Sequence, residues 1–192
     1  MFKELFVIFF GAAVVNNFVL YRFLGICPFM GVSRKTRSAV GMGLAVTFVM
    51  VIASMMTWAI YHLILAPFEL YYLQYVAFIL VIASLVQFIE LYMRKYVEDL
   101  YKAFGIYLPL ITTNCAILGL ALLNILKGYS FVESLVFSIG AGAGFTLALV
   151  IMSGIRERLE LAEVPEPLKG VPIALIIAGL LALAFGAFTG MI

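Results

Sequence analysis

The chain has 192 residues, of which 66% are hydrophobic and 11% charged, and its mean hydropathy is +1.19. Soluble domains are only about half apolar, so this composition excludes an ordinary soluble protein and predicts an integral membrane protein. The net charge of +2 comes without a basic cluster, which gives no reason to expect nucleic acid as a partner. Nucleotide-binding glycine motifs and metalloprotease motifs do not occur either.

Six apolar segments are each long enough to cross a bilayer, which takes about 20 helical residues. The first, Phe2–Leu24, lacks the basic start and the cleavage site of a signal peptide, so we expect a retained helix. The others are Val40–Leu65, Leu73–Met93, Phe104–Leu126, Phe131–Ile155 and Val171–Ile192. Continuous apolar runs favour helices over barrel strands. The predicted fold is therefore an all-α integral membrane protein with six transmembrane helices in one membrane domain, residues 1–192.

Basic residues are concentrated in the connections that follow the odd-numbered segments. They are Arg34, Lys35, Arg37, Arg94, Lys95, Lys102, Arg156, Arg158 and Lys169. Only Lys3 and Lys127 fall on the other side. The positive-inside rule then places these connections in the cytoplasm and both termini outside.

The two halves of the sequence match each other at a constant offset. The matched residues are Gly41, Gly43, Thr47, Val51, Ile52 and Ser54 in repeat one (1–95), and Gly140, Gly142, Thr146, Val150, Ile151 and Ser153 in repeat two (96–192). Each unit holds three segments, so the two units would cross the membrane in opposite directions as inverted repeats. The alternative is coincidence, because Gly and Ser are common packing residues in membrane helices.

Segments one and four are predicted to be interrupted helices. The first contains Arg22, Gly25 and Pro28, and the fourth contains Gly105, Pro109 and the polar run Thr112-Thr113-Asn114. Backbone groups freed by such breaks are tolerated at membrane depth only where protein, a ligand or a cavity satisfies them. Functional sites of inverted-repeat proteins tend to lie at such breaks.

The only two cysteines, Cys27 and Cys115, lie at these breaks, and each opens a Cys-x-x-x-Gly pattern ending at Gly31 or Gly119. Thiolates are soft ligands for copper, zinc and iron–sulfur centres, so a matched pair favours a metal site. Two thiolates cannot close a four-thiolate site alone, and a partner chain would have to supply the rest. The alternative is that each cysteine is a small buried hydrophobe.

Other polar residues in apolar sequence have two interpretations each. Asn16, Asn17, Asn114 and Asn124 either line a cavity or a cluster, or form hydrogen bonds between helices. Glu90, near Gln87, either relays protons or binds sodium, or pairs with Arg94 four residues later. Arg22 either stabilises a reduced cluster or extends its charged end to the membrane surface.

Two further features are expected to be structural. His62 lies beside Tyr61 and near Trp58, in the pattern of an interfacial aromatic belt rather than of a metal site. The Gly140–Gly144 run has glycine at every second position but no P-loop lysine after it. We therefore expect this run to allow close helix packing.

Three strings closely resemble the RnfA/NqrE family of membrane proteins, found in the Rnf complex and in the sodium-pumping quinone reductase. They are Asn16–Leu20, Leu24–Ser33 and Leu108–Gly119, and the likeness extends through Gly41–Ala45 and Gly154–Arg158. The resemblance implies a six-helix electron-transfer subunit of an ion-translocating ferredoxin:NAD+ oxidoreductase in the bacterial or archaeal cytoplasmic membrane. The whole complex moves electrons between ferredoxin and NAD+ and couples this to Na+ or H+ translocation.

The same resemblance implies the partners and the cofactor. A homologous RnfE-type subunit would form a pseudo-symmetric heterodimer with this chain, alongside Rnf subunits B, C, D and G. Cys27 and Cys115 would supply half the ligands of an intramembrane [2Fe–2S] cluster. The residues next to these thiols are Gly25, Ile26, Pro28, Thr113, Asn114 and Ala116. The chain itself would hold no catalytic residue or nucleotide site.

The residues alone leave open two functions of other classes, a transporter and a structural scaffold. A small-molecule or ion transporter without a redox centre is consistent with inverted repeats and broken helices. A structural scaffold would tolerate replacement of both cysteines.

Overall fold

The computed structural model describes residues 2–68, 71–96 and 108–190. These residues form helices and turns without strands, which confirms the all-α prediction. The helices are α1 (Phe2–Phe10), α2 (Ile26–Val32), α3 (Thr36–Ile60), α4 (Ala66–Phe68), α5 (Gln74–Tyr96), α6 (Leu108–Thr112), α7 (Cys115–Leu126), α8 (Phe131–Leu159) and α9 (Val171–Gly186). Gly11–Val15 and Tyr61–Leu65 are π-helical turns, and Tyr71–Leu73, Glu166–Leu168 and Ala187–Gly190 are 3₁₀ turns.

Three helices in the described residues are long and apolar enough to cross a membrane by length and composition. They are Thr36–Leu65, Tyr71–Tyr92 and Phe131–Leu159, which correspond to predicted segments two, three and five. Shorter apolar helices, Leu110–Leu126 and Val171–Gly186, lie in segments four and six. The apolar helices agree with a membrane protein, and the count of six crossings stays a prediction.

Segments one and four are interrupted, as predicted, but Pro28 is not the cause of the first interruption. The helical path of segment one ends at Val15 and resumes at Ile26, and segment four breaks at Thr113 and Asn114. The expectation that Pro28 interrupts its helix was wrong, because it lies inside the first turn of α2. First-turn N–H groups have no acceptor within the helix, so a residue that lacks this group fits there. The residues before Leu108 lie outside the described part of the chain, so the expectation for Pro109 stays a prediction. Gly105 lies outside the described residues.

Helices α3 and α8 form the centre of the fold and run antiparallel. A Cβ built on Gly43 would lie 2.6 Å from Cγ2 of Thr146, and one built on Gly142 would lie 2.5 Å from Cγ2 of Thr47. Each threonine hydroxyl donates to the glycine carbonyl one turn earlier in its own helix, at 2.7 Å in α3 and 2.8 Å in α8. The same glycine–threonine contact thus occurs twice, with the helices exchanging roles.

Polar contacts hold this pair together at both ends. At one end, Glu157 Oε1 accepts hydrogen bonds from the backbone N–H and the hydroxyl of Thr36, each at 2.8 Å. At the other end, the buried hydroxyls of Ser54 and Ser134 lie 2.7 Å apart. The contacts therefore fix the register of α3 against α8 over most of their length.

The glycine run of α8 packs against the first segment. A Cβ on Gly140 would lie 2.7 Å from the carbonyl oxygen of Phe9, and one on Gly144 would overlap the carbonyl oxygen of Ala13. The prediction that these glycines allow close packing is confirmed.

Candidate functional site

The break in the first segment is organised by the buried side chain of Asn17. Its Nδ2 donates to the carbonyl oxygens of Ala13 at 3.2 Å and Gly144 at 2.7 Å. Its Oδ1 accepts from the N–H groups of Val19 at 3.0 Å and Leu20 at 3.3 Å. One side chain therefore satisfies backbone groups before the break, within it and on α8, as a non-helical stretch inside a membrane protein requires.

Gly25 ends the non-helical stretch and precedes the first residue of α2. Its φ of +79° lies in the left-handed region, where glycine is strongly favoured. A Cβ at this position would also lie 2.7 Å from Cε2 of Phe145 and 3.2 Å from Cβ of Ala116. Backbone conformation and close approach thus both require glycine, and the start of α2 lies against the first turn of α7.

Asn114 forms the break in the fourth segment. It is the N-cap of α7, and its Oδ1 accepts a hydrogen bond from the N–H of Ala116 at 3.0 Å. This bond fixes the orientation of the amide, because only the oxygen can accept it. Asn114 Nδ2 is buried without a hydrogen-bond partner in the part of the chain that the structure describes. A buried donor of this kind marks a candidate contact for a group outside the chain.

The two breaks bring the two cysteine motifs to one junction. Cys27 is the second residue of α2, and Cys115 is the first residue of α7. The N–H of Gly25, two residues before Cys27, donates to Sγ of Cys115 at 3.0 Å. Both cysteines are free thiols at the surface of the chain. The interpretation of either residue as a buried hydrophobe is therefore wrong.

The other residues predicted beside the thiols surround this junction at different depths. Ile26 is half-buried at the start of α2, Pro28 is buried, and Thr113 is exposed at the break. Ala116 is buried and, with the Asn114 side chain, faces Gly25.

The junction places a backbone donor next to one of the two sulfurs. Cys27 and Cys115 each lie in the first turn of a helix, and the N–H of Gly25 donates to Cys115. N–H donors to sulfur are typical of iron–sulfur sites. The described residues include no group of three or more His, Cys, Asp or Glu side chains placed to hold a metal ion. The donor set therefore fits half of a thiolate-held centre, and a second chain would have to complete it.

Comparison with known proteins gives the family. The family model described as "Rnf-Nqr subunit, membrane protein" matches residues 5–192. The chain belongs to the Rnf-Nqr family. This membership confirms both the resemblance seen in the motifs and the prediction of a membrane protein.

Relatives in the Rnf-Nqr family match over almost the whole chain. The A component of the "Ion-translocating oxidoreductase complex" of Syntrophotalea carbinolica is 62% identical over 190 residues, covering 99% of this chain and 98% of the relative. The A component of the "Na(+)-translocating ferredoxin:NAD(+) oxidoreductase complex" of Acetobacterium woodii is 58% identical over 180 residues, covering 94% of each chain. The corresponding component of the "Ion-translocating oxidoreductase complex" of Serratia proteamaculans is 55% identical over 189 residues, covering 98% of each chain.

The asparagines of this Rnf-Nqr chain divide between the two predicted roles. Asn17 forms hydrogen bonds between segments, and Asn124 Nδ2 donates to Ser54 Oγ at 2.8 Å. The Oδ1 of Asn124 is buried without a partner among the described residues. Asn16 is half-buried, and its backbone N–H donates to the carbonyl oxygen of Gly11, the first residue of the π-helical turn. Only Asn114 faces the cysteine junction through a contact that the structure shows.

The remaining polar candidates differ in exposure. Arg22 and Gln87 are exposed, and Glu90 is half-buried. The side chain of Arg94 lies outside the described part of the structure, so its pairing with Glu90 stays a prediction.

His62 lies in the predicted aromatic setting. Its ring stacks on Trp58 at 4.1 Å between centroids and packs edge-on against Tyr61 at 5.4 Å.

Phe145 belongs to the site but was not predicted from the sequence. Its ring packs against Gly25, although it lies in a different segment from both cysteines. A single aromatic residue in an apolar helix gives no indication in the sequence that it contacts a distant site. The glycine run that precedes it could have indicated that this part of α8 approaches the first break.

Proposed function

We propose that this chain is the electron-carrying, RnfA-type membrane subunit of an ion-translocating ferredoxin:NAD+ oxidoreductase complex. Relatives of 55% to 62% identity carry the names of such subunits, and one is named for Na+, ferredoxin and NAD+. The hydrogen bond between Gly25 and the sulfur of Cys115 carries the proposal, because it joins two duplicated thiol motifs at one point. We assign chemistry on NAD+ to other subunits, since the sequence holds no nucleotide motif.

The proposed cofactor is a [2Fe–2S] cluster shared with a homologous subunit of the RnfE type. Such a cluster, when bound, accepts and releases one electron at a time. Cys27 and Cys115 would supply two thiolates and the partner the other two. The surface position of both sulfurs supports this arrangement, because a second chain can approach them directly.

The residues around the thiols would stabilise negative charge. The Gly25 N–H already donates to Cys115, and both cysteines lie in the first turn of a helix, at the positive end of its dipole. We assign Nδ2 of Asn114 as an additional donor to sulfur, since its carboxamide is fixed by the cap and this nitrogen has no partner among the described residues. Hydrogen bonds to sulfur raise the reduction potential of an iron–sulfur centre.

The finer architecture that we propose is six crossings in two inverted repeats, with both termini outside the cell and the chain in the cytoplasmic membrane. The reciprocal contacts of Gly43 with Thr146 and of Gly142 with Thr47 support it. The sequence alignment pairs Gly43 with Gly142 and Thr47 with Thr146, so a two-fold operation between α3 and α8 would exchange the two contacts. Chance matches between unrelated helices would not be expected to touch each other in this exchanged pattern.

Coupling to Na+ or H+ follows from the cost of charge in a medium of low dielectric constant. An added electron near the two thiols is unfavourable there unless a cation approaches, so reduction would promote cation uptake. Rocking of the two repeats could then change the side to which the cation is open. Cysteine-accessibility labelling of both faces, compared between the oxidised and reduced complex, tests this coupling. Identical labelling patterns in the two states would exclude rocking of the repeats as the coupling mechanism.

The proposed assembly includes Rnf subunits B, C, D and G besides the RnfE-type partner. Its test is iron and acid-labile sulfide analysis, with EPR after reduction, on this chain co-purified with its homologous partner. We expect a [2Fe–2S] signal in the wild type and in a Thr113→Ser control at the same break. Cys27→Ala and Cys115→Ala should each lose the signal while the heterodimer stays assembled.

Two other results would favour a transporter or a scaffold over an electron carrier. An intact, ion-transporting complex without iron would favour a transporter with no redox centre. Full function of both cysteine variants would favour a scaffold.

A further inference from the structure

A cavity of about 310 Å³ opens at the end of α8, with none of its lining residues at the cysteine junction. Three cationic side chains line it, those of Arg34, Arg156 and Lys169, together with the carboxylate of Glu160. Three cations against one carboxylate leave an excess of positive charge. The cavity is therefore suited to an anion.

Arg156 is held in position before any ligand arrives. Its Nη1 donates to the carbonyl oxygen of Met30 and to Oγ of Ser33, each at 2.8 Å. A guanidinium has five N–H donors in a planar fork, so most of its donors are left for a ligand. A fixed fork loses little conformational entropy on binding and fits the oxygens of a phosphate.

The other two cations are available for the same ligand. Arg34 is exposed and has no ion pair among the residues that the structure describes. Lys169 pairs with Glu166 at 3.1 Å, but both side chains are exposed, at 59% and 91%. Exposed ion pairs contribute little to stability, so a phosphate can displace this one.

The remaining walls are apolar, which a soluble anion would not need. Leu159, Val164 and Ile173 line the cavity beside the cations. The site lies where the apolar span Phe131–Leu159 ends, and Leu161 in the adjacent loop is 91% exposed. Cationic groups above an apolar wall at the end of a membrane span match a phospholipid, with its phosphate at the membrane surface and its acyl chains below.

We propose that this cavity binds an anionic glycerophospholipid, with Arg34 and Arg156 on the phosphate and Val164 and Ile173 along the start of an acyl chain. The site also bears on the cysteine junction, because Arg156 holds the end of α2 and Cys27 lies in the first turn of that short helix. Lipid binding would stabilise the position of α2 through Arg156. The lipid site itself stands independently of the proposed cluster.

The test is native mass spectrometry of the intact complex, delipidated and then exposed to phosphatidylglycerol or phosphatidylcholine. Arg34→Gln and the double variant Arg34→Gln/Lys169→Gln remove charges from the cavity. Arg158→Gln is the matched control, since it removes an exposed arginine from the same end of α8 that does not line the cavity. We expect selective retention of phosphatidylglycerol, several-fold loss in Arg34→Gln, a larger loss in the double variant and none in Arg158→Gln.

Four outcomes would overturn the proposal. Equal losses in Arg34→Gln and Arg158→Gln would indicate a general surface charge effect. Equal retention of the two lipids would show that the anionic head group is not selected. Displacement by glycerol 3-phosphate at the concentration at which the lipid binds would show that the acyl chains are not recognised. Unchanged retention of phosphatidylglycerol in Arg34→Gln would show that the retained lipid binds outside this cavity.

Discussion

The backbone N–H of Gly25 and the sulfur of Cys115 lie 3.0 Å apart, although 90 residues separate them in the sequence. This approach depends on the absence of a side chain at Gly25, because Phe145 and Ala116 fill the space where a Cβ would lie. The two helix breaks therefore share one packing arrangement, and a change at one break alters the surroundings of the thiol at the other.

Gly25→Ala is expected to disturb both breaks. The added methyl group would lie 2.7 Å from the Phe145 ring on a backbone in the left-handed region, and strain of this kind costs about 1–3 kcal/mol. We expect a lower melting temperature and less iron per heterodimer. Gly11→Ala is the control, since no atom lies within 4 Å of its Cβ position. Equal effects of the two substitutions would contradict this account of Gly25.

Asn114→Ser separates the capping role of Asn114 from its donor role. Serine can still cap α7, but the amide nitrogen is lost, so stability should stay near wild type. The midpoint potential of the cluster, measured by EPR-monitored redox titration, should become more negative because a donor to sulfur is removed. Asn114→Ala should lower the potential similarly and also destabilise by about 0.5–2 kcal/mol through loss of the cap. A cluster whose potential is the same in Asn114→Ser and wild type would rule out the donor role and leave the cluster itself established.

Gly43→Ala and Gly142→Ala are expected to destabilise the α3–α8 pair to a similar extent. Each added Cβ would overlap a threonine of the facing helix, at 2.6 and 2.5 Å, and overpacking costs about 1–3 kcal/mol. Gly154→Ala in the same α8 should be neutral or slightly stabilising, since nothing lies within 4 Å of its Cβ position. Thermal unfolding in detergent measures all three variants. Sensitivity at only one of Gly43 and Gly142 would contradict the reciprocal contact.

Asn17→Asp is expected to impair folding more than the same change at Asn16. A carboxylate keeps the acceptor for Val19 and Leu20 but places an oxygen against the carbonyl of Gly144, where Nδ2 now donates at 2.7 Å. Loss of a buried donor costs about 1–3 kcal/mol, and more for a charged group. The yield of folded protein and its melting temperature give the readout. Wild-type stability of Asn17→Asp would show that the break is held by other contacts.

The sequence was sufficient to predict the helical class and the two interrupted segments that carry Cys27 and Cys115. Hydrophobic length and duplicated motifs carry this information directly. The details of each break were not predictable, since they depend on contacts between distant segments. Asn17 bonds to Gly144 and Gly25 packs on Phe145, and neither pair is linked by spacing or periodicity. Pro28 was misread because a proline has opposite effects in the first turn and in the interior of a helix.

The surface position of the two thiols has a consequence for the biogenesis of the complex. Cys27 and Cys115 are exposed on this chain, and in the proposed assembly they would supply only half of a four-thiolate set, so we expect that the newly inserted chain cannot retain a cluster alone. Maturation would then follow pairing in the membrane, and the order of events would be insertion, dimerisation and only then delivery of iron and sulfide. A chain produced without its partner would accumulate as an iron-free precursor with two oxidisable sulfurs.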